Sequence, residues 1–247
     1  MKEEDHIAYW NEAATGYCSR RDEMSLIYRP VVDELVGNVS EKRVLDAGCG
    51  DGENARTFAA LGAVVTGIDG SEKMISLAKT ATGPANVHYE VCDLTERLPF
   101  ADNCYDVVLA DMVLMDIPTI DVAIAEFFRV LSDVGILVFS ITHPCFFCSE
   151  WVLGENGERL HKTVSDYLTP RREELNFWGK TLHFHRPLSY YFAVLSRNGF
   201  CIEAFREPVP SDAALREHPD WDYHERVPSF VVMKASVKRP ILTNEQG

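Results

Sequence analysis

The stretch Val44-Leu45-Asp46-Ala47-Gly48-Cys49-Gly50-Asp51-Gly52 decides the fold of this chain. An apolar strand runs into an acidic residue, and three glycines at alternate positions then lead into a helical pattern. Glycine adopts positive φ angles and lets the backbone approach a ligand closely. A strand that enters a helix through such a loop is typical of a cofactor crevice at the edge of a parallel sheet.

The glycine spacing argues against a dinucleotide ligand. The dinucleotide fingerprint is G-x-G-x-x-G, whereas the third glycine here comes one residue early and Glu53 occupies the expected position. Asp51 and Glu53 would also repel a pyrophosphate at the start of the helix. The acidic loop therefore favours a ligand that carries positive charge.

Strands and helices alternate along most of the chain. Hydrophobic periodicity predicts strands at residues 43–45, 63–68, 87–91, 105–110, 136–141, 200–205 and 230–235. It predicts helices in two pieces over 4–36 and at 53–61, 71–80, 120–131 and 188–197, with a turn at 132–135. This alternation predicts an α/β fold with a doubly wound, mostly parallel, seven-stranded sheet.

Five segments follow from this pattern. They are an N-terminal helical segment at 1–37, a core at 38–144, an insertion at 145–186, a C-terminal helix with closing strands at 187–236, and a polar tail at 237–247 that we expect to be frayed. The insertion has no clear period and is rich in aromatic residues. Long irregular segments of this kind are typical of lids and binding loops.

Composition narrows the class of protein. The 247 residues carry a formal charge of −14, which argues against a nucleic-acid partner and favours a small or cationic ligand. We expect no membrane segment and a cytoplasmic location, because long apolar runs and a secretory leader are lacking. The seven cysteines are scattered, and the phenylalanines between Cys145 and Cys148 indicate packing, so we predict no metal site.

Further landmarks make the pattern specific. Asp69 ends the second strand roughly twenty residues past the glycine loop, where an acid suits ribose hydroxyls. Asp93 follows the third strand, and the run Leu98-Pro99-Phe100 through Asp106-Val107-Val108 leads into the fourth. Together with the glycine loop, these positions resemble class I S-adenosylmethionine-dependent methyltransferases, in particular their small-molecule, methyltransferase type 11-like branch.

The resemblance implies S-adenosylmethionine as the cofactor and the Rossmann-like methyltransferase fold. Asp69 would bind the ribose, although capping of the next helix explains it as well, and Asp93 would accept from the adenine amino group while Leu94 covers the ring. The N-terminal helices would form a lid, unless Tyr17 is an ordinary core aromatic. The resulting cofactor-binding prediction comprises Tyr17, Arg29, Asp46, Gly48, Cys49, Gly50, Asp69, Gly70, Asp93, Leu94 and Asp111.

The activity implied is methyl transfer to an oxygen, nitrogen, carbon or sulfur atom of a small molecule, mainly through orientation of the two reactants. His143 is the candidate general base, with a structural hydrogen bond as the alternative. Predicted substrate contacts are Met112, Met115, His183, His185, Arg186, Tyr190 and Tyr191. The aromatic insertion favours a planar or apolar acceptor, with a positive group suited to the acidic chain. A cofactor-binding protein with another activity, such as cyclisation, or a non-catalytic activator subunit stays open, and no oligomeric state is predicted.

Overall fold

A seven-stranded sheet with one antiparallel edge organises the structure. The computed structural model describes residues 6–19, 23–84 and 86–238. Its strands are β1 (Arg43–Ala47), β2 (Val64–Asp69), β3 (Val87–Val91), β4 (Tyr105–Asp111), β5 (Leu131–Thr142), β6 (Trp151–Leu153), β7 (Arg159–Lys162), β8 (Arg171–Asn176), β9 (Lys180–His185), β10 (Phe200–Arg206) and β11 (Phe230–Val237). The sheet order is β10-β11-β5-β4-β1-β2-β3, with β1 to β5 parallel and β10 and β11 antiparallel to their neighbours. The predicted fold class is confirmed.

Helices cover both faces of this sheet. They are α1 (His6–Ser19), α2 (Ser25–Val36), α3 (Glu53–Ala60), α4 (Glu72–Thr80), α5 (Asp121–Val130), α6 (Leu188–Arg197) and α7 (Asp212–Glu217), followed by a 3-10 helix over Pro219–Glu225. Successive side chains of a strand point to opposite faces. Val107 accordingly belongs to the same buried cluster as Phe58 of α3, whereas Val108 belongs to the cluster that contains Phe127 of α5. Both faces of the central strands are therefore buried, as a doubly wound sheet requires.

The strand order determines where the ligand-binding crevice of the sheet lies. β1 lies between β2 and β4, so the connections that leave β1 and β4 run to opposite faces of the sheet. In open α/β sheets a ligand binds at such a reversal, beyond the carboxyl ends of the strands. The glycine loop after β1, Asp69 at the end of β2 and Asp111 at the end of β4 all lie at this edge.

The insertion is more regular than its sequence indicates. Two hairpins, β6–β7 and β8–β9, occupy most of the segment for which no period was evident. Only β8 shows alternating burial, and each of the four strands is three to six residues long, so no strand period is evident in the sequence. His183 and His185 share one side of β9, but the described residues contain no cluster of three metal-ligating side chains.

Two boundary predictions are wrong. The turn at 132–135 is part of β5, which starts at Leu131 opposite Tyr105 and next pairs Ile136 with Val107, so the intervening residues form an irregularity within the strand. α7 and the 3-10 helix, which lie between β10 and β11, were not predicted from the sequence. Trp221 of the 3-10 helix is buried and packs this segment into a hydrophobic cluster. Of the tail predicted to be frayed, Val237 belongs to β11 and residues 239–247 lie outside the described residues. The described residues include no helix with the length and apolarity to cross a bilayer.

Candidate active site

The three glycines of the loop have positive φ angles, which other residue types rarely adopt. Gly48, Gly50 and Gly52 have φ angles of +76°, +54° and +81°. The backbone amides of Gly48 and Cys49 both donate to the carbonyl of Ile68 at 2.8 Å, which fixes the loop against β2. A Cβ atom at Gly48 would lie 2.6 Å from the Cβ of Val113. The loop therefore excludes side chains at the point where β1, β2 and the loop after β4 meet.

Asp69 connects this loop to the start of α4. Its Oδ2 accepts from the Gly50 amide at 3.0 Å, and its Oδ1 accepts from the Ser71 amide at 2.8 Å. Burial raises the pKa of Asp69, and the two amide bonds oppose that shift. Ser71 caps α4 itself, because its hydroxyl accepts from the Met74 amide at 3.1 Å. Each carboxylate oxygen keeps a free lone-pair position for a hydroxyl donor.

A cavity of about 690 Å³ extends from this loop to the insertion. Its volume lies in the range of small-molecule and cofactor sites, roughly 300–1,000 Å³. The predicted site residues that line it are Tyr17, Gly48, Gly50, Asp69, Gly70, Asp93, Leu94, Asp111, Met112, Met115 and His183. These residues were predicted from six separate segments of the sequence, and the fold places all of them around one cavity.

Helix α1 and the β8–β9 hairpin close this cavity together. The ring of Tyr17 lies 5.1 Å from that of Trp178 and 5.7 Å from that of Trp10, both measured between centroids. A Cβ at Gly16 would meet the backbone of Trp178, so the helix and the hairpin touch closely. The N-terminal helix therefore covers the glycine loop and at the same time packs on the insertion.

An acidic cluster lies beneath the glycine loop. Asp46 is 1% exposed, does not line the cavity, and neither of its carboxylate oxygens has a hydrogen-bond partner among the described residues. Burial, and after it the charge of Asp111, raise the pKa of Asp46 to about 7, while the charge of Arg29 opposes this shift. Asp111 accepts from Asn54 at 2.9 Å and from the Ser140 hydroxyl, and Arg29 Nη1 lies 3.8 Å from its Oδ2. The expected direct contacts of Asp46 and Arg29 with the cavity are corrected: both lie behind its wall.

Five other predicted residues also lie outside the cavity. Cys49 is buried beneath the loop, and burial raises the pKa of its thiol. Arg186 is buried because its guanidinium donates to the carbonyls of Leu114, Phe184 and Ile117. The other three side chains also have partners outside the cavity. His185 is hydrogen-bonded to the carbonyl of Tyr167, Tyr190 donates to Asp121, and the ring of Tyr191 stacks on that of Phe139. These residues support the wall of the site from behind.

Comparison with known proteins agrees with this geometry. A family model described as a methyltransferase domain matches residues 45–139, which include the glycine loop, Asp69, Asp93 and Asp111. A solved S-adenosylmethionine-dependent methyltransferase from Listeria monocytogenes is 28% identical, with a TM-score of 0.77 over 92% of this chain and 98% of that one. This chain is a class I S-adenosylmethionine-dependent methyltransferase.

Two further relatives define how far this similarity reaches. A solved S-adenosylmethionine-dependent methyltransferase from Mesorhizobium loti is 27% identical, with a TM-score of 0.77 over 85% of this methyltransferase and 97% of the other. A ubiquinone biosynthesis O-methyltransferase from Nitrosomonas europaea is 34% identical over 111 residues, which is 44% of this chain and 47% of that protein. The chain thus spans about half the length of this named relative.

The residues present fit S-adenosylmethionine. The cofactor carries a cationic sulfonium and an ammonium group, and Asp69, Asp93 and Asp111 all line the cavity. The position of Gly50 is open toward the cavity, since the nearest atom to a Cβ there is a ring carbon of Tyr17 at 4.0 Å. The carboxyl group of Asp46, whose pKa burial and Asp111 raise to about 7, lies beneath the loop, and a cationic ligand above it would favour its ionised form. The acidic surroundings predicted from the sequence are therefore those of the methyltransferase site.

His143 does not face the cavity of the methyltransferase. Its Nε2 lies 2.9 Å from Glu207 Oε1, and its Nδ1 accepts from the Cys145 amide at 3.2 Å. Burial lowers the pKa of His143, and the contact with Glu207 opposes this. The expectation that its side chain points into the crevice is corrected, because both ring nitrogens are used to join the end of β5 to the insertion and to the segment after β10.

We expect His143→Gln to affect folding rather than cofactor binding. The substitution removes one or both hydrogen bonds of a 2% exposed side chain and should lower the free energy of unfolding by about 1–3 kcal/mol. Urea unfolding measures that loss, and calorimetry with S-adenosylhomocysteine should give an unchanged affinity. His88→Gln, at a side chain 71% exposed, is the control and should leave both quantities unchanged. Normal stability with lost methyl transfer would return His143 to the catalytic role.

Four residues that line the cavity were not predicted as site residues from the sequence. Asp116 lies in the loop after β4, where burial raises its pKa well above the usual value, Asp69 adds to the shift and Arg186 opposes it. Lys162, Trp178 and His224 come from the insertion and from the 3-10 helix. None of the four belongs to a recognisable motif. Only the aromatic content of the insertion pointed to this half of the cavity.

Proposed function

We propose that this methyltransferase transfers the methyl group of S-adenosylmethionine to a small molecule held between the glycine loop and the insertion. The observation that carries the proposal is the continuous cavity, which has carboxylates and glycine backbone at one end and aromatic side chains of the insertion at the other. The names of relatives, a ubiquinone biosynthesis O-methyltransferase and a malonyl-[acyl-carrier protein] O-methyltransferase, support an acceptor of low molecular weight or a carrier-bound small group.

The cofactor end would be divided among three strand tips. Asp69 at β2 would accept from the ribose hydroxyls, and Asp93 with Leu94 after β3 would hold the adenine. The Asp93 Oδ1 already accepts from the amide and hydroxyl of Thr95, which fixes the carboxylate at the rim of the cavity. Gly48, Gly50 and Asp111 would face the methionine portion, which brings the cationic groups against acid.

Bound S-adenosylmethionine supplies a methyl group already activated for transfer by its positive sulfur. The protein then has to align the acceptor and exclude water, and orientation of this kind can supply on the order of 7–11 kcal/mol. Tyr17 and Trp178, in edge-to-face contact at 5.1 Å, would close the space from above. Met112 and Met115 would form the apolar wall beside the reacting groups.

His183 replaces His143 as the candidate general base. Its ring lines the cavity and lies 4.7 Å from that of Phe147, and burial lowers its pKa to about 4. The imidazole is therefore neutral at physiological pH. Its low pKa makes it a weaker base than an ordinary histidine, so it would accept a proton that becomes acidic as the acceptor atom gains the methyl group. Such a base is needed only where the acceptor is protonated at neutral pH, as a hydroxyl or an ammonium group is.

A mass-spectrometric assay tests the proposal. The protein would be incubated with S-adenosylmethionine and a fractionated small-molecule extract, and the products analysed for S-adenosylhomocysteine and for a compound heavier by one methylene unit. Formation of both supports methyl transfer, and an Asp69→Asn sample identifies any contaminating activity. Cofactor binding with a product of unchanged mass would instead indicate cyclisation. Cofactor binding with no product until a partner protein is added would indicate an activator subunit.

A further inference from the structure

Unpartnered polar atoms lie in the cavity wall at the end of β5 and in the 3-10 helix. Within the described chain, buried side-chain atoms without a hydrogen bond occur in Asp46, Ser132, Thr142 and His224. Thr142 Oγ1 and His224 Nε2 belong to residues that line the cavity and are 7% and 2% exposed. Buried polar groups are nearly always bonded in native proteins, so two orphans on one wall indicate a ligand.

A lysine lies on the same wall. Lys162 is the one lysine or arginine among the described residues that line the cavity. Its Nζ donates to the Phe146 carbonyl at 2.6 Å and lies 5.4 Å from the centre of the Trp151 ring. No carboxylate of the described residues comes within ion-pair distance of it. Two of its three N–H donors are therefore left for a ligand.

His224 adds a neutral donor to this lysine. Its Nδ1 lies 2.7 Å from the Ser229 hydroxyl. We assign the hydroxyl as the donor of this bond, which places the proton of the neutral ring on Nε2, the orphan atom. Burial lowers the pKa of His224 to about 4, and the positive charges of Arg159 and Lys162 contribute, while Asp220 on the exposed side of the 3-10 helix opposes. The imidazole thus stays uncharged, and the local field at this wall is positive.

The position of this wall separates it from the cofactor. Thr142 ends β5, and Ser229 and Phe230 begin β11, whereas Gly48 follows β1. In the sheet order β11 lies three strand spacings from β1, and β5, which carries Thr142, lies two spacings from it; at about 4.8 Å per strand these are lateral distances of roughly 14 Å and roughly 10 Å. The lysine and the two orphan atoms are therefore placed to contact the acceptor rather than the adenosine.

We propose that Lys162, His224 and Thr142 bind the carboxylate of a planar acceptor whose ring lies among Phe146, Trp151 and Tyr223. The proposal rests on the proposed function only in taking this space as the acceptor site. The ammonium group supplies the charge, and the imidazole N–H and the threonine hydroxyl donate to the carboxylate oxygens. A positive wall inside a chain of net charge −14 reverses the expectation of a cationic acceptor. The net charge is a sum over the whole chain, whereas a bound acceptor contacts only the side chains that line this pocket.

Binding of paired probes tests this inference without requiring turnover. The full chain saturated with S-adenosylhomocysteine would be titrated by calorimetry with benzoate and cinnamate, and with benzamide and cinnamamide of matched shape. We expect the carboxylates to bind at least about 10-fold more tightly than the amides, equivalent to about 1.4 kcal/mol. Lys162→Met should abolish that preference and Lys162→Arg should retain it. Lys180→Met is the control, because Lys180 lies on the same insertion, is 60% exposed and pairs with Glu174 at 2.9 Å.

The outcomes separate this inference from methyl transfer. Equal binding of carboxylates and amides by the unmodified protein, or no saturable binding of any probe, would overturn the carboxylate site. A preference that survives in Lys162→Met would overturn it as well. If Lys162→Met no longer binds S-adenosylhomocysteine, the carboxylate site is tested instead by whether the unmodified chain and Lys162→Arg bind the carboxylate probes more tightly than the amides. A carboxylate preference in a protein that forms no methylated product would leave this site standing and remove only the proposed activity.

Discussion

Replacing Asp69 with asparagine is expected to weaken S-adenosylhomocysteine binding by about 100-fold or more. The carboxylate accepts from the amides of Gly50 and Ser71 at 3.0 and 2.8 Å, and the substitution turns one acceptor into a donor that faces an N–H group. Hydrogen bonds to a charged group contribute about 1.5–3 kcal/mol each, so loss of the loop contact and of a ribose contact exceeds a factor of 100. Calorimetry with S-adenosylhomocysteine measures the change.

The matched control is Asp102→Asn. Asp102 is 68% exposed and pairs with Arg129 at 2.8 Å, so its loss should leave cofactor affinity unchanged. Circular dichroism of both variants establishes that the sheet has formed. An Asp69→Asn protein that binds S-adenosylhomocysteine as tightly as the unmodified chain would remove Asp69 from the cofactor site and leave it as a structural acceptor for the loop.

Gly48→Ala should cost about 2–5 kcal/mol of unfolding free energy. A non-glycine residue at φ +76° costs about 1–2 kcal/mol, and the added methyl group, 2.6 Å from the Cβ of Val113, must displace a packed side chain for a further 1–3 kcal/mol. The displaced loop should also lose affinity for S-adenosylhomocysteine. Denaturant unfolding gives the first quantity and calorimetry the second.

Gly157→Ala separates backbone strain from the steric overlap. Gly157 has a φ of +81°, and a Cβ there would meet no atom within 4 Å. This variant should lose only about 1 kcal/mol and bind the cofactor normally. If the two alanine variants are equally stable, the contact with Val113 has no energetic consequence and the loop tolerates a side chain.

Local patterns predicted the residues that line the cavity around the glycine loop, because these residues lie within a few positions of strand ends. Gly48, Asp69 and Asp93 each follow an apolar strand, and parallel strands bring their carboxyl ends to one edge. The acceptor half has no such rule. Lys162, His224 and Thr142 come from three distant segments, and their proximity depends on how the insertion folds back over β5 and β11.

His143 shows the limit of reasoning from strand ends alone. Its position after β5 is that of a residue at the crevice, and its neighbour Thr142 does line the cavity. The direction of the imidazole is decided by Glu207, which comes after β10 and lies 64 positions further along the chain. Arg186 was similarly misplaced, since three backbone carbonyls draw its guanidinium into the protein. Partners of this kind leave no trace in local sequence.

The packing of α1 against the β8–β9 hairpin has a thermodynamic consequence. The helix that carries Tyr17 over the glycine loop rests on the hairpin that carries His183 into the acceptor space, through Trp10 and Trp178. A ligand at either end that orders this contact would share the cost of ordering it with a ligand at the other end. We therefore expect cofactor and acceptor affinities to be linked, and by reciprocity each ligand should raise the affinity for the other by the same factor.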